Sequence, residues 1–61
     1  MSEWLVTGAG GMLGRDLVTA LHRRGEVVAG LARGELDVTD EAAVRGALRR
    51  HRPAIVVNCA A

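Results

Sequence analysis

The order of its apolar runs, helical stretches and glycines predicts an α/β fold for this chain. Three runs of strand length, Glu3-Trp4-Leu5-Val6-Thr7, Glu26-Val27-Val28-Ala29-Gly30-Leu31 and Ala54-Ile55-Val56-Val57-Asn58-Cys59, are separated by two stretches whose apolar residues recur at helical spacing. Between the first run and the first helix stand Gly8, Gly11 and Gly14, spaced G-x-x-G-x-x-G. Strands alternating with helices describe a parallel sheet with crossover helices. The expected architecture is the N-terminal half of a Rossmann-type doubly wound parallel sheet, β-α-β-(β)-α-β.

The glycine segment Val6-Thr7-Gly8-Ala9-Gly10-Gly11-Met12-Leu13-Gly14 reads as a dinucleotide-phosphate site. A strand turning sharply into a helix leaves unpaired N–H groups at the positive end of the helix dipole, which suit a pyrophosphate. Gly8 makes the tight turn, Gly11 lets the backbone meet the ligand without a Cβ, and Gly14 lets the helix lie close to the sheet. A tight strand-to-helix turn with no ligand is the plainer alternative.

Residues 12–24 carry Leu13, Leu17, Ala20 and Leu21 on one face, with Arg15, Asp16, Thr19, His22 and Arg23 away from it. Gly25 stands where a left-handed helix stop belongs. After the second run, Ala32-Arg33-Gly34-Glu35-Leu36-Asp37-Val38 is expected to touch the sheet again briefly around Leu36 without forming a full helix. Thr39-Asp40-Glu41 starts the second helix with a capping oxygen and acids in the first turn. Val44, Ala47, Leu48 and His51 form its inward stripe, Gly46 weakens it slightly, and Pro53 stops it. The last apolar run is continuous, as for a strand covered on both faces.

With 61 residues the chain is one small domain at most, and such a chain buries only about 60% of its unfolded surface. Residues 1–61 are expected to be the N-terminal part of a cofactor-binding domain, with the remainder and a substrate domain outside this chain. Half a doubly wound sheet also leaves strand edges open to homo-oligomerisation or self-association. A content of 49% hydrophobic and 25% charged residues argues against disorder, and no apolar run approaches a membrane span. Met1-Ser2-Glu3-Trp4 has an acid and no basic region, so a secretory signal is not expected and the cytoplasm is. Arg49, Arg50, His51 and Arg52 are cations over the last turn of a helix rather than a nucleic-acid stripe. Neither nucleic acid nor a membrane is an expected partner. Cys59 is the one cysteine, which excludes an internal disulfide and reads as a small apolar residue. His22 and His51 lack metal-ligand spacing, and no metal site is expected from the residues.

In dinucleotide folds an acid at the end of the second strand hydrogen-bonds the ribose 2′-hydroxyl. Leu31-Ala32-Arg33 stands there instead. Arg33 either pairs with a 2′-phosphate, which favours NADPH over NADH, or is a solvated loop arginine. Asp37 offers an acceptor for the adenine amine, with the N–H of Val38 meeting a ring nitrogen; otherwise Asp37 is a helix-entry residue bonded to nearby amides. Asn58, Cys59, Ala60 and Ala61 end the last strand in small residues that leave room for ribose and pyrophosphate.

Taken together, the glycine segment, Glu35-Leu36-Asp37-Val38-Thr39-Asp40, and Arg52-Pro53-Ala54-Ile55-Val56-Val57-Asn58-Cys59-Ala60-Ala61 closely resemble the N-terminus of dTDP-4-dehydrorhamnose reductases, members of the extended short-chain dehydrogenase/reductase superfamily. The resemblance covers nearly the whole chain, about a fifth of such an enzyme. Each motif is shared across the superfamily, and the three in this order are distinctive. Met12-Leu13 also departs from sugar-nucleotide epimerases, which tend to place an aromatic residue after the second glycine. The resemblance implies reduction of the 4-keto group of a dTDP-linked 6-deoxyhexose by NADPH or NADH, on the way to dTDP-L-rhamnose. It also admits Mg2+ and implies a dTDP-sugar bound by a C-terminal part.

By the same resemblance Gly11, Met12 and Leu13 match the pyrophosphate loop, Asp37 and Val38 the adenine contact, and Ala60 and Ala61 the contact beside the nicotinamide ribose. Ala32 and Arg33 depart from the acid that many members carry. The family's catalytic tyrosine and lysine have no counterpart, since the chain contains no tyrosine, and no catalytic residue is assigned. Two other functions share these features: a dinucleotide-binding regulatory subunit, like that of methionine adenosyltransferase, and another sugar-nucleotide epimerase or dehydratase.

Overall fold

Short strands alternate with helices, and the first apolar run, flanked on both sides in the sheet, is the most buried stretch among the described residues. The computed structural model describes residues 3–60: β1 (Trp4–Thr7), α1 (Met12–Arg23), β2 (Val28–Leu31), α2 (Glu41–His51) and β3 (Ile55–Asn58). The strands form one parallel sheet in the order β2-β1-β3. Trp4 stands level with Val28 and Ile55, and Thr7 with Leu31 and Asn58. Leu5, Val6 and Thr7 are all buried. Successive strand residues face opposite sides, so both faces of β1 are covered. The two crossovers run in opposite directions across β1, and right-handed crossovers of that kind place α1 and α2 on opposite faces. The order therefore reverses at β1, which opens a crevice at the carboxyl ends of β1 and β3.

Helix α1 meets the sheet through Gly14 and Leu21, which are buried, and Leu17 and Val18, which are half-buried. This differs from the expected stripe: Leu13 is 69% exposed and Ala20 is also exposed. The reason is Gly14. Its position against the Gly8 carbonyl and the Ala9 Cα turns the row Gly14, Val18, Leu21 inward, and Leu13, one residue earlier, is rotated about 100° outward. Gly30 of β2 receives that row, since a Cβ there would stand 3.1 Å from Val18 Cγ2. The helix ends in a Schellman turn at Gly25 (φ +79), with Gly25 N–H donating to His22 O and Glu26 N–H to Leu21 O. At the start of the sheet, Trp4 Nε1–H donates to Glu26 Oε1 over 2.9 Å.

No strand forms at Leu36. The N–H groups of Glu35 and Leu36 both donate to Ala32 O, so residues 32–36 make a single helical turn with no ladder to the sheet. Leu36 reaches the core through its side chain alone and is buried. Asp40 caps α2 by accepting from Ala43 N–H, and the helix stops at Arg52, in the left-handed region (φ 44), just before Pro53. Val44, Ala47 and His51 are half-buried as expected, joined by Ala43, whereas Leu48 is exposed and no α2 residue is fully buried. The pair Glu41–Arg45 lies on the solvated face and contributes little. Strand β3 also departs from expectation: Ile55 is 39% and Val56 50% exposed. Like β2, it is an edge of the sheet among the described residues and pairs only with β1.

Gly14→Ala tests the contact that orients α1. Its Cβ would lie too close to Gly8 O for any side-chain adjustment to relieve, because the obstacle is backbone. We expect a loss of about 1–3 kcal/mol in the full-length protein, seen as a lowered thermal midpoint. An unchanged midpoint would show that α1 is seated by other contacts.

Candidate functional site

Three backbone segments converge where β1 ends. Gly8 leaves the strand with φ +67, and a Cβ on it would stand 2.5 Å from Ala60 N and 2.6 Å from the Cys59 carbonyl carbon. Glycine is needed twice over, for the left-handed turn and for the approach of the β3 exit. The loop is tied down by Ala9 N–H to Leu31 O and Gly11 N–H to Gly8 O. On the other side Cys59 N–H donates to Thr7 O, and Asn58 Oδ1 accepts from both Thr7 Oγ1 (2.7 Å) and Ala60 N–H (3.0 Å). Asn58 thereby fixes the distance between the two strand ends. The sequence shows Asn58 only as a small polar residue at a strand end; its partner Thr7 is 51 positions away.

Between these segments lies a cavity of about 380 Å³. The glycine loop forms one wall through Gly8, Gly10 and Gly11, the turn after β2 another through Arg33 and residues 36–39, and Cys59 and Ala60 close it. Of the residues singled out in the sequence, Gly8, Gly11, Arg33, Asp37, Val38 and Ala60 come together here. Gly14 lies beneath the loop. Met12 and Leu13 do not line the cavity, and their side chains are 84% and 69% exposed. Ala61 lies outside the described residues. Gly10, Leu36, Thr39 and Cys59 are further wall residues, which lie within the sequence motifs without a ligand contact of their own assigned there.

Helix α1 begins at this wall with nothing capping it. Its first bond is Arg15 N–H to Gly11 O, so the N–H groups of Met12, Leu13 and Gly14 have no partner among the described residues, and no side chain caps the helix. No acid lies in its first turn. Unpaired donors at the positive end of a helix favour an anion. Gly11, the N-cap, has extended backbone, and a Cβ on it would meet only Gly8 O at 3.6 Å. The protein itself leaves room for a side chain at Gly11.

Asp37 Oδ1 accepts from Thr39 Oγ1 (2.6 Å) and Thr39 N–H (2.9 Å), which shapes the turn into α2. The helix-entry reading of Asp37 is thus realised at Oδ1, while Oδ2 accepts no bond among the described residues. The Thr39 hydroxyl and then the Thr39 amide hold the Asp37 carboxyl below the ordinary aspartate range against desolvation, with the charge of Arg33 adding the least. The carboxylate is ionised at neutral pH. Among the described residues no group of three His, Cys, Asp or Glu side chains is placed to hold a metal ion. No helix among them is long and apolar enough to cross a membrane.

A lowered native pKa stabilises the turn at pH above the unfolded aspartate value, and the contribution is lost as pH falls through the native value. Thr39→Val removes the larger of the two hydrogen bonds. In an NMR titration of the Asp37 carboxyl in the full-length protein, this substitution is expected to move the midpoint up toward the ordinary range. A midpoint that stays in place would mean Thr39 does not hold the carboxylate.

Residues 2–61 match the family model described as RmlD substrate binding domain. The chain is 67% identical over 59 residues to dTDP-4-dehydrorhamnose reductase of Streptomyces griseus, covering 97% of this chain and 19% of that protein. It is 57% identical to dTDP-4-keto-6-deoxy-D-glucose reductase of Streptomyces niveus and 62% to a probable dTDP-4,6-dihydroxy-2-methyloxan-3-one 4-ketoreductase of Streptomyces antibioticus, each over 97% of this chain and 20% of the relative. The chain spans about a fifth of the length of the curated relatives it matches. With the match running over nearly every residue, the chain belongs to the RmlD substrate binding domain family.

Proposed function

We propose that this chain is the N-terminal part of an NAD(P)H-binding domain in a reductase of dTDP-linked 4-keto-6-deoxysugars, with dTDP-6-deoxy-L-lyxo-4-hexulose as substrate and dTDP-L-rhamnose as product. The observation that carries the cofactor reading is the convergence of an uncapped helix N-terminus, a glycine wall and the turn of Asp37 on one cavity. The names of the relatives support the reaction class: each is a reductase of a dTDP-linked sugar, and each name places the ketone at carbon 4.

On this reading the residues divide the cofactor among them. The N–H groups of Met12 and Leu13 and the bare Cα of Gly11 take the pyrophosphate, so Met12 and Leu13 act through their backbones. Asp37 Oδ2 and the N–H of Val38 take the adenine edge, and Ala60, with Ala61, leaves room beside the nicotinamide ribose. Arg33 lines the cavity without an ion pair among the described residues and takes a 2′-phosphate, which favours NADPH. The bound nicotinamide supplies the hydride. This chain orients the cofactor, while the groups that protonate the ketone oxygen and read the sugar belong to the rest of the protein. The exposed edge strand β3 supports the further reading that this sheet pairs with more chain, of the same molecule or of another copy.

Gly11→Val separates ligand contact from folding. The site tolerates a Cβ internally, so the full-length variant should keep its thermal midpoint within about 1 kcal/mol of stability. Its affinity for NADPH should fall on the order of 10- to 100-fold, because the branched side chain stands where the pyrophosphate meets the backbone. Unchanged affinity by calorimetry would refute this placement of the cofactor.

A further inference from the structure

Neither Ala32 nor Arg33 is acidic, yet the structure brings a carboxylate to the end of β2. The helical turn over residues 32–36 folds Glu35 back, and Glu35 Oε1 accepts from Ala32 N–H over 3.0 Å. Ala32 is the first residue beyond β2, and it touches the glycine loop: a Cβ on Gly10 would lie 3.2 Å from Ala32 Cβ. Glu35 also stands about twenty residues beyond Gly14, the separation at which dinucleotide folds place the acid that reads the ribose 2′-hydroxyl. A shallow depression on the α1 side of Gly10 holds Glu35 together with Ala32, Arg15 and His22. The cavity with Arg33 lies on the other side of Gly10. Among the described residues no ion pair neutralises Glu35 or Arg33.

We infer that Glu35 is a specificity-determining residue, opposing Arg33 in the choice between the two nicotinamide cofactors. This rests on the reading of the cavity as a dinucleotide site. The Glu35 carboxylate is an acceptor for a ribose 2′-hydroxyl. It is also a like charge for a 2′-phosphate, and it occupies the Ala32 N–H that a phosphate oxygen would otherwise take. Arg33 acts in the reverse sense. The turn therefore carries one group for each cofactor, and Glu35 keeps NADH usable where Arg33 alone would commit the site to NADPH.

The test measures dissociation constants of NADPH and NADH by calorimetry for the full-length protein and its E35Q, E35A and R33A variants. Glu35→Gln keeps an oxygen for the Ala32 N–H and removes only the charge, so the turn persists. Relative to the unsubstituted protein, E35Q is expected to move the NADPH-to-NADH affinity ratio about 5- to 10-fold toward NADPH, E35A in the same direction, and R33A the opposite way. If both cofactors bind and the ratio stays within about twofold in E35Q and E35A alike, Glu35 does not read the ribose and the inference is wrong. If the unsubstituted protein binds neither cofactor, the dinucleotide reading itself fails, and the inference with it.

Discussion

The carboxyl end of this sheet is built on the missing side chain of Gly8. Ala60 and the Cys59 carbonyl approach from β3 on one side, and Gly14 presses on the Gly8 carbonyl from α1 on the other. A Cβ at Gly8 or at Gly14 would meet backbone at distances no rotamer change relieves. With both absent, the strand exit, the helix start and the β3 exit share one small volume, and the helix axis points its positive end into the crevice where the strand order reverses. The hydrogen bonds from Thr7 and Ala60 to Asn58 then hold the two strand ends at that separation. Displacing any one of the three segments would both unseat α1 and open the cavity, so packing and site geometry are a single constraint.

The elements were largely legible, because their signals are local. Strand length, helical spacing, Gly25 as a stop, Asp40 as a capping residue and Pro53 as a terminator are each decided within a few residues. Sequence and structure part where a distant contact overrules local character. Leu13 looks like a core residue by hydropathy, but the backbone contact at Gly14 fixes the helix rotation and turns Leu13 outward. Leu36 sits in a run that resembles strand, but two amides bonding to Ala32 O close a helical turn first. The apolar run of β3 reads as doubly covered, yet coverage depends on neighbours that the run itself does not encode.

The site shows the same division. Glycine spacing marks the loop, since only certain residues permit its geometry, and Asp37 is marked by its place before a helix. The position of Glu35 at the end of β2 depends on the direction in which five residues turn, which its local sequence does not mark. In an extended segment it would point away from β2, and in the observed turn it returns to the Ala32 amide. Glu35 reaches the Ala32 amide only three residues away, through the turn, whereas Asn58 joins the strand ends through the Thr7 hydroxyl 51 positions away, a pairing that no local pattern marks.

The two sides of the sheet are unequally held, and this bears on what a bound ligand would do. β1, α1 and Leu36 supply the buried side chains among the described residues and every residue of β2 is half-buried, whereas α2 has no buried residue and β3 is mostly exposed. Segments with few buried apolar contacts open at lower free energy than the core. The cavity wall draws on both: Gly8 and Gly11 belong to the firm side, while residues 37–39 lead into α2 and Ala60 follows β3. A dinucleotide seated there would contact the firm loop with its pyrophosphate and the looser turn with its adenine. On the proposed reading, a ligand that binds only the folded arrangement stabilises it by mass action, and its effect falls mainly on residues 37–60, the part that the core holds least.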